Sequence, residues 1–416
     1  MCGIGGLFSF DSRPDPSVVE AMNDCLCHRG PDMEGVYVDG PIALAHRRLS
    51  ILDTSAAGRQ PMHSADGTVQ IVFNGEIYNY QELRENLTGY RWQSNSDTEV
   101  ILHLYEEYGQ DCVSMLRGMF AFAIWDESRG KLFLGRDRLG QKPLFYRHTD
   151  NSFWFGSTID SILSDNAVTP EPDPQAIRSY LTYQYVPSPR TGFKTIRQLE
   201  PGTTMIVDTD GSITTDRYWS LSFSEQETAS PTELARQLRR RLQKATQLRT
   251  RSDVPLGAFL SGGIDSSAVV GMLSEVSDEP VNTYAIGFDV DRFDELEYAR
   301  LVADEFGTDH TEYTIDADTM LESITDLVDH YGMPFGDTSA LPTYYVSKLA
   351  SEDITVALTG DAGDENFAGY LRYGIDRRLS QLAHLPNPVL TPGYVLLTQF
   401  LHRTARRKLL GGHGRL

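Results

Sequence analysis

Cysteine is scarce in this chain. Four occur in 416 residues, at Cys2, Cys25, Cys27 and Cys112, with neither the paired spacing of a zinc site nor the density of a disulfide framework. Reduced thiols are expected, with Cys25 and Cys27 as small residues near a core. Positive charge is short too: 37 Lys and Arg against 58 Asp and Glu leave a formal charge of −21, which repels a phosphate backbone, so no nucleic-acid partner is expected. No apolar run approaches the roughly 20 residues that span a bilayer, and no basic stretch followed by an apolar one opens the chain. A cytoplasmic protein with no membrane partner is expected. No lysine follows the glycines of "SGGIDSS" (261–267), and GxGxxG is absent, which excludes a Walker-type P-loop and a dinucleotide fingerprint.

What is present divides along the chain. At roughly 100–200 residues per domain the length implies two or three domains. Residues 1–165 read as short strands with a few helices. "TVQIVFNGEIYN" (68–79), "GMFAFAIWDESRGKLFLGRD" (118–137) and "SFWFGSTI" (152–159) are β-rich, whereas 80–87 and 97–109 have helical apolar spacing. Prolines in "TPEPDPQAI", "YVPSPRTGF" and "LEPGTT" mark 166–230 as a connector. From 231 to 416 helix and strand alternate, the pattern of a parallel α/β sheet. The overall class expected is α/β.

Two constellations carry chemistry. Cys2 follows an initiator Met that an aminopeptidase is expected to remove; the thiol would then share its residue with a free α-amine of pKa near ~8, a base able to take the thiol proton. The Asn74 side-chain amide and the Gly75 N–H in "FNGEIYN" are candidate donors to an oxyanion, Arg48 offers a fork for a carboxylate, and Asp97 offers an anion for an ammonium group. In the second constellation an apolar strand ends in Ser261, Gly262 and Gly263, and Asp265, Ser266 and Ser267 open a helix. Backbone N–H groups and hydroxyls there could cradle pyrophosphate. Asp265 beside phosphate makes sense with Mg²⁺ between them. Another strand, "ITVAL", ends in "TGDAGDENFAGY" (359–370), which supplies Asp361, Asp364 and Glu365.

"MCGIGG", "HRGPDMEG", "HRRLSI", "NGEIYNY", "SDTEV" and "RDRLGQKPLFY", in this order, resemble a class II (Ntn-type) glutamine amidotransferase domain. The resemblance implies an αββα sandwich in which Cys2 attacks the glutamine side-chain amide and Asn74 and Gly75 form the oxyanion hole. It also implies that Arg48, Leu49, Ser50, Ile51, Leu52, Asn74, Gly75, Glu76 and Asp97 bind glutamine. Arg29 and Asp32 of "RGPD" either serve the substrate or order their loop.

Joined to the second constellation, the pattern is similar to the glutamine-hydrolysing asparagine synthetases, with a parallel-sheet ATP-pyrophosphatase domain. This implies ATP and Mg²⁺ as cofactors, with glutamine, aspartate and ATP as small-molecule partners. ATP would turn the aspartate side-chain carboxylate into an adenylate with release of pyrophosphate, and ammonia would then displace AMP. Leu260, Ser261, Gly262, Gly263, Asp265, Ser266, Ile286, Thr359 and Gly360 would contact ATP, Asp265 and Asp364 would hold Mg²⁺, and Asp361 would sit near the adenylate.

The pattern departs at Gly332 and Met333, where the family has an acidic pair, and at Ala362 and Ala368, where it has glycine. Asn366 stands where the family has an aliphatic residue. The synthetase domain is expected to be shortened at its C-terminus, with the basic amphipathic stretch 394–416 as a helix against it. Another carboxylate acceptor, an incomplete synthetase site and a homodimer are left open by the residues.

Overall fold

Period-two alternation explains the central strands. In Gly118–Asp126, Phe120, Phe122 and Ile124 point to one core, and Ala121, Ala123 and Trp125 to another. Such a strand is covered on both faces. The computed structural model describes residues 1–224, 227–289 and 294–382, which form two compact units.

The larger unit, Met1–Gly263 with Ser267–Thr359, holds three sheets. Its strands are β1 (Gly3–Ser9), β2 (Met33–Asp39), β3 (Ile42–Arg48), β4 (Met62–His63), β5 (Val69–Ile77), β6 (Gly118–Asp126), β7 (Lys131–Arg136) and β8 (Phe145–His148). They continue with β9 (Ser152–Gly156), β10 (Ile196–Gln198), β11 (Thr203–Asp208), β12 (Ile213–Arg217), β13 (Leu256–Phe259), β14 (Asn282–Phe288), β15 (Asp309–Ile315) and β16 (Val356–Leu358). Two six-stranded antiparallel sheets, ordered β10-β8-β9-β1-β3-β2 and β12-β11-β7-β6-β5-β4, share one core built from Ile4, Phe8 and Leu44 on one side and Val72, Ala123 and Leu134 on the other.

Helices cover the outer faces. Met22 of Pro16–Cys25 and Ile162 of Ile159–Leu163 pack against the first sheet, and Ile101 and Leu104 of Asp97–Tyr108 against the second. The result is the expected αββα sandwich. The Asp97–Tyr108 helix starts where Ser96 accepts from the Thr98 N–H, and it stops at Gly109, whose φ of 58° suits glycine.

Part of the proline-rich 166–230 region, expected to be a connector, is built into both sheets as β10, β11 and β12. In β11 Met205 and Val207 enter one core and Ile206 the other, but the strand lies between turns that dominate the local pattern. Cys27, expected near a core, is exposed, because it lies in a single 3-10 turn after the first helix.

The third sheet is parallel, ordered β15-β14-β13-β16, as the alternation from 231 onward predicts. Val270 and Leu273 from one helix and Ala299 and Ala303 from another pack on it with Ala258, Leu260 and Ala285. The smaller unit comprises Ile264–Ser266 and the chain from Gly360. The amphipathic stretch 394–416 lies outside the described residues. No described helix is long and apolar enough to cross a membrane.

Candidate active sites

Strand alternation aims the first constellation into the gap between the antiparallel sheets. Ile4 and Phe8 of β1 belong to the inter-sheet core, so Cys2 falls on the same face. Val72 of β5 belongs to that core as well, so Asn74 and Glu76 follow on its face. The backbone at Cys2 is held by Arg29, which is 8% exposed and donates from Nε to the Cys2 carbonyl at 3.0 Å. The Cys2 thiol lies 3.6 Å from the Leu49 carbonyl. Burial pushes the thiol pKa up, and the neighbouring amino terminus opposes this. The Met1 amine, chiefly through burial, is pushed down to about 5.

Asn74 is fully buried, and neither its Nδ2 nor its Oδ1 has a hydrogen-bond partner among the described residues. A buried amide left unpaired costs about 1–3 kcal/mol, so its persistence points to a ligand that completes it. A Cβ on Gly75 would stand 2.2 Å from the Met119 carbonyl; glycine is what lets β5 pair with β6 there. Beyond it, Glu76 and Asp97 form an acidic pair. Burial first, and then the charge of Asp97, raises Glu76 well above the usual carboxylate range. Burial raises Asp97 to about 6 against the hydrogen bonds it accepts, among them the Ile77 N–H at 2.8 Å.

The Arg48 guanidinium meets backbone of its own loop. Its Nη2 donates to the carbonyls of Leu52 and Asp53, both at 2.8 Å, and its Nη1 to that of Ser55 at 3.2 Å. The fork therefore holds the loop Leu49–Asp53, which carries the Leu49 carbonyl beside Cys2. Asp32 is exposed and accepts from the Ser50 N–H at 2.7 Å, so Arg29 and Asp32 both order the backbone around the site.

The sequence reading missed Lys142. Buried at 6% exposure, it is lowered to about 8 by burial and then by Arg29, while Glu76 and Cys2 pull it up. Its signal lay in "RDRLGQKP". There Asp137 accepts from the N–H groups of Leu139, Gln141 and Lys142, and Arg136 donates to the carbonyls of Gly140 and Lys142.

The second constellation is seen in its two units separately. In the larger, β13 ends at Phe259, and Leu260 is buried with its N–H on the Tyr284 carbonyl at 2.8 Å. Gly262 has a φ of 76°, and a Cβ there would lie 2.5 Å from Tyr298 Cβ. Only glycine fits. Ser261 and Gly263 are exposed, and the Ser267 hydroxyl donates to the Gly263 carbonyl at 2.6 Å. Ile286 lies in β14, and Thr359 follows β16.

In the smaller unit Gly360 packs on the Asp265–Ser266 backbone, and a Cβ on Gly363 would sit 2.3 Å from the Asp265 carboxylate carbon. Asp265 thus lies against the residue preceding Asp364. Asp361 is exposed. Among the described residues no three His, Cys, Asp or Glu side chains group as metal ligands. Mg²⁺ needs only one or two protein carboxylates when phosphate and water complete its shell, so Asp265 and Asp364 fit it.

At the departures from the family pattern, Gly332 ends the helix Ile324–Tyr331 at a φ of 61°, and Met333 packs on the core of Trp154 and Ile159. Ala362 and Ala368 hold φ of 69° and 59°, where glycine is unstrained.

The family model described as glutamine amidotransferase domain matches residues 1–219, and that described as asparagine synthase matches 237–414. Asparagine synthetase (glutamine-hydrolyzing) 1 of Bacillus subtilis is 36% identical over 93% of this chain and 62% of its own length. Putative asparagine synthetase (glutamine-hydrolyzing) 2 of Methanocaldococcus jannaschii is 38% identical over 93% of this chain and 79% of its own. Amidase chry2 of Gibberella zeae is 30% identical over 90% of this chain and 60% of its own. The chain thus spans about three-fifths of the first and third of these relatives. With both family models matched in series, and with that identity sustained over four-fifths of one relative, the chain belongs to the glutamine-hydrolysing asparagine synthetase family.

Proposed function

We propose that the chain hydrolyses glutamine at Cys2 and spends the ammonia on an ATP-activated carboxylate, that of aspartate. The observation that carries this reading is Asn74, wholly buried on the face that Cys2 shares, with both amide atoms unpaired.

With Met1 removed, the Cys2 amine takes the thiol proton. The sulfur adds to the glutamine side-chain carbonyl, and Asn74 Nδ2 and the Gly75 N–H receive the oxyanion. As the intermediate collapses, the amine returns the proton to the departing nitrogen, and ammonia leaves. Water then cleaves the thioester to glutamate and free thiol. Glu76 and Asp97, pressed together in a buried site, accept the substrate ammonium, which relieves their mutual repulsion. Arg48 shapes the wall of Leu49, Ser50, Ile51 and Leu52. Residues 1–165 carry this half in our reading, and those from 231 onward the other.

There, Ser261, Gly262, Gly263 and Ser266 hold the phosphates, and Leu260, Ile286, Thr359 and Gly360 contact the nucleotide. The acceptor carboxylate attacks the α-phosphorus, pyrophosphate leaves, and ammonia displaces AMP near Asp361. Mg²⁺, held by Asp265 and Asp364, would offset the phosphate charge. Only neutral ammonia is a nucleophile, so passage shielded from water favours the coupled reaction. The match to an amidase of another name, and Gly332 and Met333 in place of acids, favour a second reading in which the acceptor is a different carboxylate.

Incubating the chain with glutamine, aspartate, ATP and Mg²⁺ tests the proposal. Glutamate, AMP and asparagine are expected in equal amounts. AMP without asparagine would favour the other acceptor, and glutamate without AMP would overturn the nucleotide half. Asp265→Asn should lower AMP formation at least about tenfold, by weakening the metal site, and leave glutaminase activity within twofold. The pH profile follows from Asp97. Its ionised form binds the ammonium, so kcat/KM for glutamine should fall as pH drops through about 6. A flat profile between pH 5 and 7 would contradict that role.

A further inference from the structure

Asp53 is a non-glycine residue at a φ of 53°, and its conformation is held from three sides. Arg48 Nη2 binds its carbonyl at 2.8 Å. Its carboxylate accepts from the Ser55 hydroxyl and, at 2.7 Å, from the Asn95 N–H. The third hold comes from 200 residues away: the Asp53 N–H donates to Asp253 Oδ2 at 2.7 Å, and the Asp253 N–H returns a bond to the Ile51 carbonyl at 3.0 Å. A left-handed non-glycine residue costs about 1–3 kcal/mol and persists only when its surroundings over-determine it.

Asp253 lies in the six-residue segment between the helix Pro231–Arg249 and β13, the strand that leads to the Ser261–Gly263 loop. The same stretch of chain also holds the residues that follow β5. Arg251 meets the Glu82 carboxylate with two bonds of 3.0 Å and also donates to the Tyr78 carbonyl, and the Arg249 guanidinium lies 4.6 Å over the Tyr78 ring. Tyr78 directly follows β5, the strand that carries Asn74, Gly75 and Glu76. The Leu49–Asp53 loop and the end of β5 are thus both tied to the stretch 249–253 in the other half of the chain.

We propose that Asp253 is a positioning residue for glutamine: it holds Asp53 in its left-handed conformation, and through it the Leu49–Asp53 wall beside Cys2. The inference rests on the reading of Cys2 as a glutaminase nucleophile. It adds that this glutaminase pocket is complete only when the segment before β13 is docked on it.

The test uses the full chain, with glutaminase kcat and KM measured beside AMP formation supported by ammonia. Asp253→Ala should raise KM for glutamine about fivefold or more, with kcat and the ammonia-supported rate within twofold. Asp253→Asn keeps an oxygen acceptor for the Asp53 N–H and should return KM to within twofold of the parent. An unchanged KM in Asp253→Ala would overturn the inference, as would a KM in Asp253→Asn as high as in Asp253→Ala, or equal loss of glutamine- and ammonia-supported activity. A parent chain that leaves glutamine intact would overturn the glutaminase reading itself, and this inference with it.

Discussion

Cys2→Ala should abolish glutamine hydrolysis, by about 10⁴-fold or more, and leave AMP formation driven by added ammonia within twofold. The size follows from removing the only atom in this reading that bonds to substrate; loss of a nucleophile leaves little but binding and the oxyanion donors. The selectivity follows from placement. Cys2 lies between two antiparallel sheets, and the proposed nucleotide loop follows a strand of the separate parallel sheet. Glutamate release and ammonia-supported AMP formation, measured on one preparation, decide it. Equal loss of both would contradict the division of labour.

Asn74→Ala should lower kcat for glutamine by about 10²–10³, the loss found when one oxyanion donor is removed, with KM changed far less. Stability separates this from simple damage to the core. Truncating a buried, satisfied polar side chain destabilises, but Asn74 has no partner to lose among the described residues. Deletion removes two unpaired polar atoms and leaves a small void, two effects of opposite sign and each about 1–3 kcal/mol. The variant's Tm should therefore stay close to the parent's. A large drop in Tm alongside the loss of rate would mean that Asn74 supports the sheet rather than the reaction.

Much of the antiparallel fold was legible from composition. The 68–79 and 118–137 stretches are rich in β-branched and aromatic residues, and β5, β6 and β7 lie there. The parallel sheet was legible from helix–strand alternation, except for β15, whose "DHTEYTI" is only partly buried and too polar to read as a strand. Strands β10 to β12 were hidden by the prolines around them.

Side chains that bond to distant backbone were less legible. Arg48 pointed to a carboxylate fork, and nothing in "HRRLSILD" shows its guanidinium closing on carbonyls four to seven residues ahead. Lys142 gave no signal by itself, because its burial near Cys2 depends on how Asp137 folds the loop before it. Asn74 and Asp97 were named from their chemistry, and Glu76 from the family resemblance. What the structure adds is that Asn74 lacks a partner among the described residues, that burial raises both carboxyls, and that the charge of Asp97 raises Glu76 further.

The account turns on the Cys2 amine acting as base for its own thiol, which requires a free α-amine at that residue. Intact-mass analysis of a fully active preparation is the most direct check. The predicted species has lost one methionine residue and carries no acyl group. Undiminished glutaminase activity in a chain that retains Met1, or whose Cys2 amine is blocked, would contradict it.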